Sequence, residues 1–138
     1  MFDNLKRTIA LRQLWKFTRD LADAHDAYVG AGQNWRSAAE WYRCAHASMY
    51  ARAGGSYSQE TGAIHMIAIA NIIVDPDHRR RGFFSEMLTG MQGIAHERGR
   101  HMRVELVGNL DLKAALIRRG YKPETTGLPY SWYLPPPT

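Results

Sequence analysis

The residues best placed for chemistry run Val74-Asp75-Pro76-Asp77-His78-Arg79-Arg80-Arg81-Gly82-Phe83-Phe84. An isoleucine-rich strand pattern ends at Asp75-Pro76, because proline cannot donate to a sheet ladder, and a helical pattern begins at Gly82. The first amides of a helix have no intrahelical acceptor, and the helix dipole makes that end partly positive. An anion, a pyrophosphate above all, is stabilised at such a junction. Gly82 lets the backbone bend and lets phosphate oxygens approach without meeting a side chain. Three consecutive arginines add charge and bidentate donors. The same residues would also make a solvated basic turn ahead of an amphipathic helix, and local composition leaves both readings open.

Proton-transfer candidates lie on the flanking strands. Glu105 is the sole carboxylate of the second strand, and alternation turns it opposite to Val104 and Leu106. Facing a cleft and partly buried, it would suit a general base; its other reading is a salt bridge. Asn71 and His65 lie on the first strand, six residues apart, and share a face unless a bulge intervenes. Cys44 and His46 are close in sequence, but the six histidines and one cysteine offer no second pair at zinc spacing, so no metal site is expected. Cys44 reads as a buried helix residue.

Several elements must position these groups. Apolar residues at Leu11, Leu14, Trp15, Leu21 and Tyr28 predict a helix over residues 8–28, stopped by Gly30 and Gly32. Ser37-Ala38-Ala39-Glu40 fits a capping box, and Ala38, Trp41, Tyr42, Ala45 and Met49 predict a second helix behind it. Residues 54–58 are turn-like. A strand over 64–74 follows, then a helix over 82–98 with Phe83, Met87, Leu88, Met91, Ile94 and Ala95 on one side. A strand over 102–107 comes next. Asn109 caps a short helix that stops at Arg118-Arg119-Gly120. The tail offers a last strand over 128–134 before Pro135-Pro136-Pro137. A strand–helix–strand unit of this length implies parallel strands joined by a right-handed crossover.

The chain has 138 residues, a length suited to one domain, and 45% hydrophobic residues argue for a packed core rather than disorder. No apolar run approaches the roughly 18 residues that span a bilayer, and residues 1–7 lack a secretory pattern. With a single cysteine, a reducing cytoplasm is the expected compartment. The net charge of +5 suits nucleic acid or a phosphorylated cofactor alike.

The central segment resembles the acyl-CoA signature of the GNAT N-acetyltransferase superfamily, in which a strand ending in Val-x-Pro leads into Arg/Gln-x-x-Gly-x-Gly/Ala. Arg79 and Gly82 stand at its first two fixed positions, and Asn109 followed by Gly120-Tyr121 is similar to the family's Asn…Gly-Phe segment at matching separation. Two matches in the right order, spread over residues 64–121, are more specific than either alone.

The resemblance implies an α/β fold with a mixed sheet, whose central β-α-β unit splays two parallel strands around a pantetheine arm. It implies backbone contacts from Ile72, Ile73 and Val74, and a pyrophosphate cradle of Arg79, Arg80, Arg81, Gly82, Phe83, Phe84 and Ser85. Asn109 approaches the cofactor's other side. The implied activity is transfer of an acetyl group from acetyl-CoA to an amine of a small molecule or protein, in a monomer or homodimer, with no metal and no membrane. Residues 1–60 would supply N-terminal helices and the acceptor side, 61–121 the acyl-CoA core, and 122–138 the C-terminal strand and tail.

Two departures matter. Phe84 replaces a small residue, either crowding the pyrophosphate or packing inward beside Met87 and Leu88. Leu116 stands where the family often has an acidic tyrosine, so Tyr121, with Tyr130 and Tyr133 behind it, becomes the candidate acid beside Glu105 and Asn71. A GNAT-fold protein that has lost catalysis and binds another protein, as small chains of this type in tailed bacteriophages suggest, is the second reading. A tRNA-directed role for Arg79, Arg80, Arg81, Arg98, Arg100, Arg103, Arg118 and Arg119 ranks third, with nucleic acid disfavoured. The family's usual first strand is not legible before Thr8.

Overall fold

The computed structural model describes residues 2–44, 47–59, 61–74, 82–105, 107, 110–124 and 130–138. Helix α1 (Phe2–Gly30) opens the chain and is longer than its apolar stripe predicts, about 43 Å at 1.5 Å per residue. Leu11, Leu14, Thr18, Leu21, Ala22 and His25 form its buried face. Strands β1 (Ala38–Arg43), β2 (Ala47–Ser58) and β3 (Gly62–Val74) follow. Then come α2 (Phe83–Glu97), β4 (His101–Val104), α3 (Leu110–Arg118), β5 (Lys122–Pro123) and β6 (Trp132–Leu134). They form one six-stranded sheet in the order β1-β2-β3-β4-β6-β5.

The expected second helix is instead a hairpin. β1 pairs antiparallel with β2 from Ala38↔Ala53 to Arg43↔Ser48, and Cys44 lies at its turn, half-buried, donating its amide to the Ala47 carbonyl at 2.9 Å. Ala47, Ala51 and Ala53 are buried on the face against which α1 packs. Alanine has little strand propensity of its own, and here the space it leaves for a helix decides the outcome. Residues 54–58, read as a turn, belong to β2. At Gly54 a Cβ would lie 2.3 Å from the Ser37 hydroxyl oxygen, so close approach explains that glycine. Among the described residues no strand precedes α1, β5 is an addition to the expected elements, and β6 starts later than residue 128.

The β-α-β unit forms as expected. β3 and β4 are parallel, with Met66↔His101 through Ile69↔Val104 in register. All six apolar residues predicted for α2 are buried. Gly99, at φ 69°, reverses the chain after α2, and the Arg100 amide returns to the Ala95 carbonyl at 2.8 Å. The helices share their core with Ala51, Ala53, Ile67, Ile69, Met102, Val104 and Trp132. Strand alternation puts Arg52, Ala68, Arg103 and Tyr133 on the opposite face.

Two devices hold α1 in place. At Gly90 the Trp15 indole occupies the space of a side chain: a Cβ there would lie 1.9 Å from its Nε1. At the other end the Arg100 side chain, 1% exposed, donates to the Met66 carbonyl, His25 Nδ1 and Asp26, tying α1 to the start of β3 and β4.

Candidate acyl-CoA site

The two parallel strands part where the resemblance places a thioester. Among the described residues the last rung between them is the Glu105 amide donating to the Ile69 carbonyl at 2.8 Å. β3 then continues along β2 to Val74, while Val107 donates to the Tyr130 carbonyl at 2.8 Å. The parting coincides with an extra residue in β3. Ser48 pairs with Ile73 but Tyr50 with Ala70, and Asn71 takes the left-handed conformation at φ 52°. This is the intervening bulge under which His65 and Asn71 do not share a face. It also resets the alternation, so that Ile72 and Val74 pack on the core while Ile73 is 60% exposed.

The expected basic loop, with Arg79, Arg80 and Arg81, lies outside the described residues, as does Asn109. The helix it leads into is described. Gly82 is the N-cap of α2, at φ 77° and ψ 6°, and as a glycine it brings no side-chain cap of its own. Phe83 is 1% exposed and anchors the helix start in the core. Phe84 is half-buried against that core, the inward packing that one of its two readings anticipated.

Sequence reasoning missed a cation here. Arg7 of α1 bonds Glu86 in the first turn of α2 (2.9 Å), sits 5.9 Å from the Phe83 ring centroid, and brings its Nη2 within 3.5 Å of where a Gly82 Cβ would stand. The Glu86 carboxylate would repel a phosphate at this end of α2, and Arg7 neutralises it. No local signal marks Arg7, because the fold alone brings it to Gly82.

On the other side of α2, Arg119 donates from Nη2 to the Ser85 carbonyl (2.7 Å), the Ser85 hydroxyl (2.6 Å) and Thr89 Oγ1 (2.9 Å). These bonds dock the end of α3 beside the start of α2. A cavity of about 340 Å³ remains between them, lined by Phe84, Ser85, Ala115, Arg118 and Arg119.

The acid–base candidates do not converge on one another. Glu105 has a side chain 8% exposed and accepts from Arg52 Nη2 at 3.0 Å, with Arg103 Nε 3.9 Å away. Arg103 in turn reaches Glu124 at 2.5 Å and Ser56 Oγ at 2.8 Å. The salt-bridge reading of Glu105 therefore holds, in a buried chain of charges at the point of parting. Tyr121 is buried among core residues, its hydroxyl donating to Gln92 Oε1 at 3.0 Å, and burial pushes its pKa well up, with Arg119 opposing. Leu116 is fully buried. Tyr133, on the helix-free face, lies 6.4 Å from the His101 ring, and Tyr130 is 71% exposed.

A mixed sheet with a parallel pair that parts beside a glycine-started helix is the architecture of the GNAT fold, and the chain has that fold. Solved structures agree. A chain of the KacTA–DNA complex aligns with 82% of this chain and 79% of its own length at TM-score 0.50 and 13% identity. A mutant of the AtaT toxin bound to the C-terminus of the antitoxin AtaR aligns with 63% of this chain at TM-score 0.50 and 13% identity. The same mutant with acetyl-CoA also bound gives TM-score 0.49 at 15% identity. The aligned part spans just over half, 57%, of the AtaT chains. No family model and no curated protein matches the sequence. No described helix is long and apolar enough to cross a membrane.

Proposed function

We propose that the chain is an acyl-CoA-dependent N-acetyltransferase that moves an acetyl group from acetyl-CoA to an amine of a small molecule or protein. The observation that carries this reading is the parting of β3 and β4 after Ile69 and Glu105 among the described residues, with α2 starting at the left-handed Gly82 on the same chain. A thioester arm fits between parting strands, and its pyrophosphate fits the first-turn amides. The amine nitrogen attacks the thioester carbonyl, the C–N bond forms and the C–S bond breaks. One proton leaves the amine and one reaches the CoA thiolate.

Glu105 is the proton acceptor closest to the point of parting, with Arg52 holding one carboxylate oxygen. Asn71, in its bulge, stands at the same level of β3 as a polar contact for the acceptor. Tyr121, its hydroxyl bonded to Gln92, is the candidate donor to the thiolate. The arginines at 79–81 and Asn109 complete the cradle. The protein acts in the cytoplasm, as a monomer or homodimer.

A second reading is favoured by one observation. Leu116, at the family's tyrosine position, is sealed in the core, and Tyr121 spends its hydroxyl on Gln92. A GNAT-fold protein retired from catalysis and acting by binding another protein would look like this. The test is calorimetric titration with acetyl-CoA, beside Gly82→Glu, together with turnover on an amine panel by the wild type and Glu105→Gln. Binding abolished by Gly82→Glu, and turnover cut at least tenfold by Glu105→Gln, support the enzyme. Binding without turnover supports the second reading, no binding at high micromolar acetyl-CoA rejects the enzyme, and turnover on any amine rejects the second reading.

A further inference from the structure

The helix-free face of the sheet carries an aromatic pair whose outer ring is left in water. Trp41 is 54% exposed, and its ring centroid lies 5.4 Å from that of Tyr50. Ile73, exposed beyond the bulge, borders the pair through the Ser48↔Ile73 pairing. Contiguous apolar surface of this kind marks a place where something docks.

The sheet register ties the pair to Glu105. Trp41 pairs with Tyr50 and Tyr50 with Ala70, and Ala70 stands beside Glu105, one step beyond the Ile69↔Val104 rung. Met49, Ala51, Ile69 and Val104 belong to the core, so alternation turns Tyr50, Ala70 and Glu105 to the helix-free face. These residues form one row across four strands. At about 4.8 Å per strand, the backbones of Tyr50 and Glu105 stand about 10 Å apart. Ala70 between them offers only a methyl group, so the row dips there.

The charges define what the row accepts. Arg52 and Arg103 both approach Oε2 of Glu105, which leaves Oε1 to an incoming group. Glu124 balances the second arginine, so the cluster has no net charge to attract an anion. Arg43, exposed on the same face two residues from Trp41, repels a second ammonium group at the aromatic end. A carboxylate oxygen at one end and apolar rings at the other, with a short gap between, suit a primary amine held close to an aromatic ring.

We propose that the row Trp41, Tyr50, Ala70 and Glu105 is the acceptor site, and that the acceptor is a primary amine joined to an aromatic ring by a short carbon chain. Its nitrogen meets Glu105, and its ring lies against Tyr50 and Trp41. This inference rests on the acetyltransferase reading with Glu105 as proton acceptor, and names the substrate class which that reading leaves open. A free arylalkylamine and the N-terminal aromatic residue of a peptide share this chemistry.

The test is steady-state turnover at saturating acetyl-CoA on 2-phenylethylamine, phenylalanine amide, n-butylamine and putrescine. It compares the wild type with Trp41→Ala, Tyr50→Ala and Tyr57→Ala. Burial of the ring predicts a wild-type kcat/KM at least about tenfold higher for an aromatic amine than for n-butylamine, with putrescine lower still. A preference for phenylalanine amide assigns the site to a peptide N-terminus, and one for 2-phenylethylamine to a free amine. Trp41→Ala and Tyr50→Ala should each cut the aromatic preference at least about threefold. Tyr57→Ala, which removes an exposed ring elsewhere on β2, should keep it. Equal wild-type values for n-butylamine and both aromatic amines would overturn the acceptor site and leave the acetyltransferase reading intact. So would a preference that survives undiminished in Trp41→Ala and Tyr50→Ala. Absence of turnover on all four amines also overturns the acceptor site, and the acetyl-CoA titration then decides the acetyltransferase reading separately.

Discussion

The packing of α1 on α2 can be tested with two glycines three residues apart on one helix. Replacing either Gly90 or Gly93 by alanine removes the same backbone entropy cost, which favours the folded helix by about 0.5–1 kcal/mol. At Gly93 a Cβ meets nothing within 4 Å, so Gly93→Ala should realise that gain. At Gly90 a Cβ would lie 1.9, 2.3 and 2.6 Å from Nε1, Cε2 and Cδ1 of Trp15. Three atoms of a rigid ring cannot all be relieved by a small torsion, so α1 must move. Overpacking of this kind costs about 1–3 kcal/mol, which exceeds the propensity gain. The propensity gain is common to both, so the overpacking alone separates the two variants, by about 1–3 kcal/mol with Gly90→Ala the less stable. For 138 residues, 1 kcal/mol is worth about 3–4 °C in Tm, so calorimetry should separate them by roughly 3–12 °C. In a Trp15→Ala background the Gly90→Ala penalty should shrink, because the three atoms nearest that Cβ all belong to Trp15. A Gly90→Ala variant as stable as Gly93→Ala would refute the helix crossing described here.

Three further outcomes follow from other parts of the molecule. Arg100→Met should cost about 2–4 kcal/mol in urea unfolding, since it strands the buried His25 nitrogen and the Met66 carbonyl without a donor. Stability should be full above pH 6.5 and fall below it. Burial first, then Arg100 and His65, lower the His25 pKa, and burial and His96 lower that of His101. Below 6.5 the unfolded chain takes up protons that the folded chain refuses, and urea midpoints at pH 8 and pH 5.5 check the sign. Asn71→Val should destabilise by about 1–2 kcal/mol through its positive φ, whereas Asn71→Gly stays near neutral by the same measurement.

What the sequence makes legible divides along a physical line. The α2 stripe, the parallel crossover and the start of α2 at Gly82 were readable, because helical periodicity, a proline stop and a left-handed glycine are local requirements. The β1–β2 hairpin was not, since Ala47, Ala51, Ala53 and Gly54 are chosen for what packs on them rather than for strand propensity. The bulge at Asn71 was foreseen only as a possibility, because nothing local distinguishes that asparagine from one in a regular strand.

The same line runs through the candidate site. A phosphate-binding backbone needs glycine at one position, and so Gly82 is marked in the sequence. The charges that surround it are under no such constraint, and any element that passes nearby can supply them. Arg7 comes from α1 and Arg119 from the turn after α3, and each is fixed to the first two turns of α2, by Glu86 on one side and by Ser85 and Thr89 on the other. The two contacts differ in kind. Arg7 pairs its charge with Glu86, whereas Arg119 rests on neutral oxygens. The start of α2 therefore has a neutralised flank towards α1 and a positive one towards α3. That asymmetry is set by the fold, and a motif centred on Gly82 alone cannot carry it.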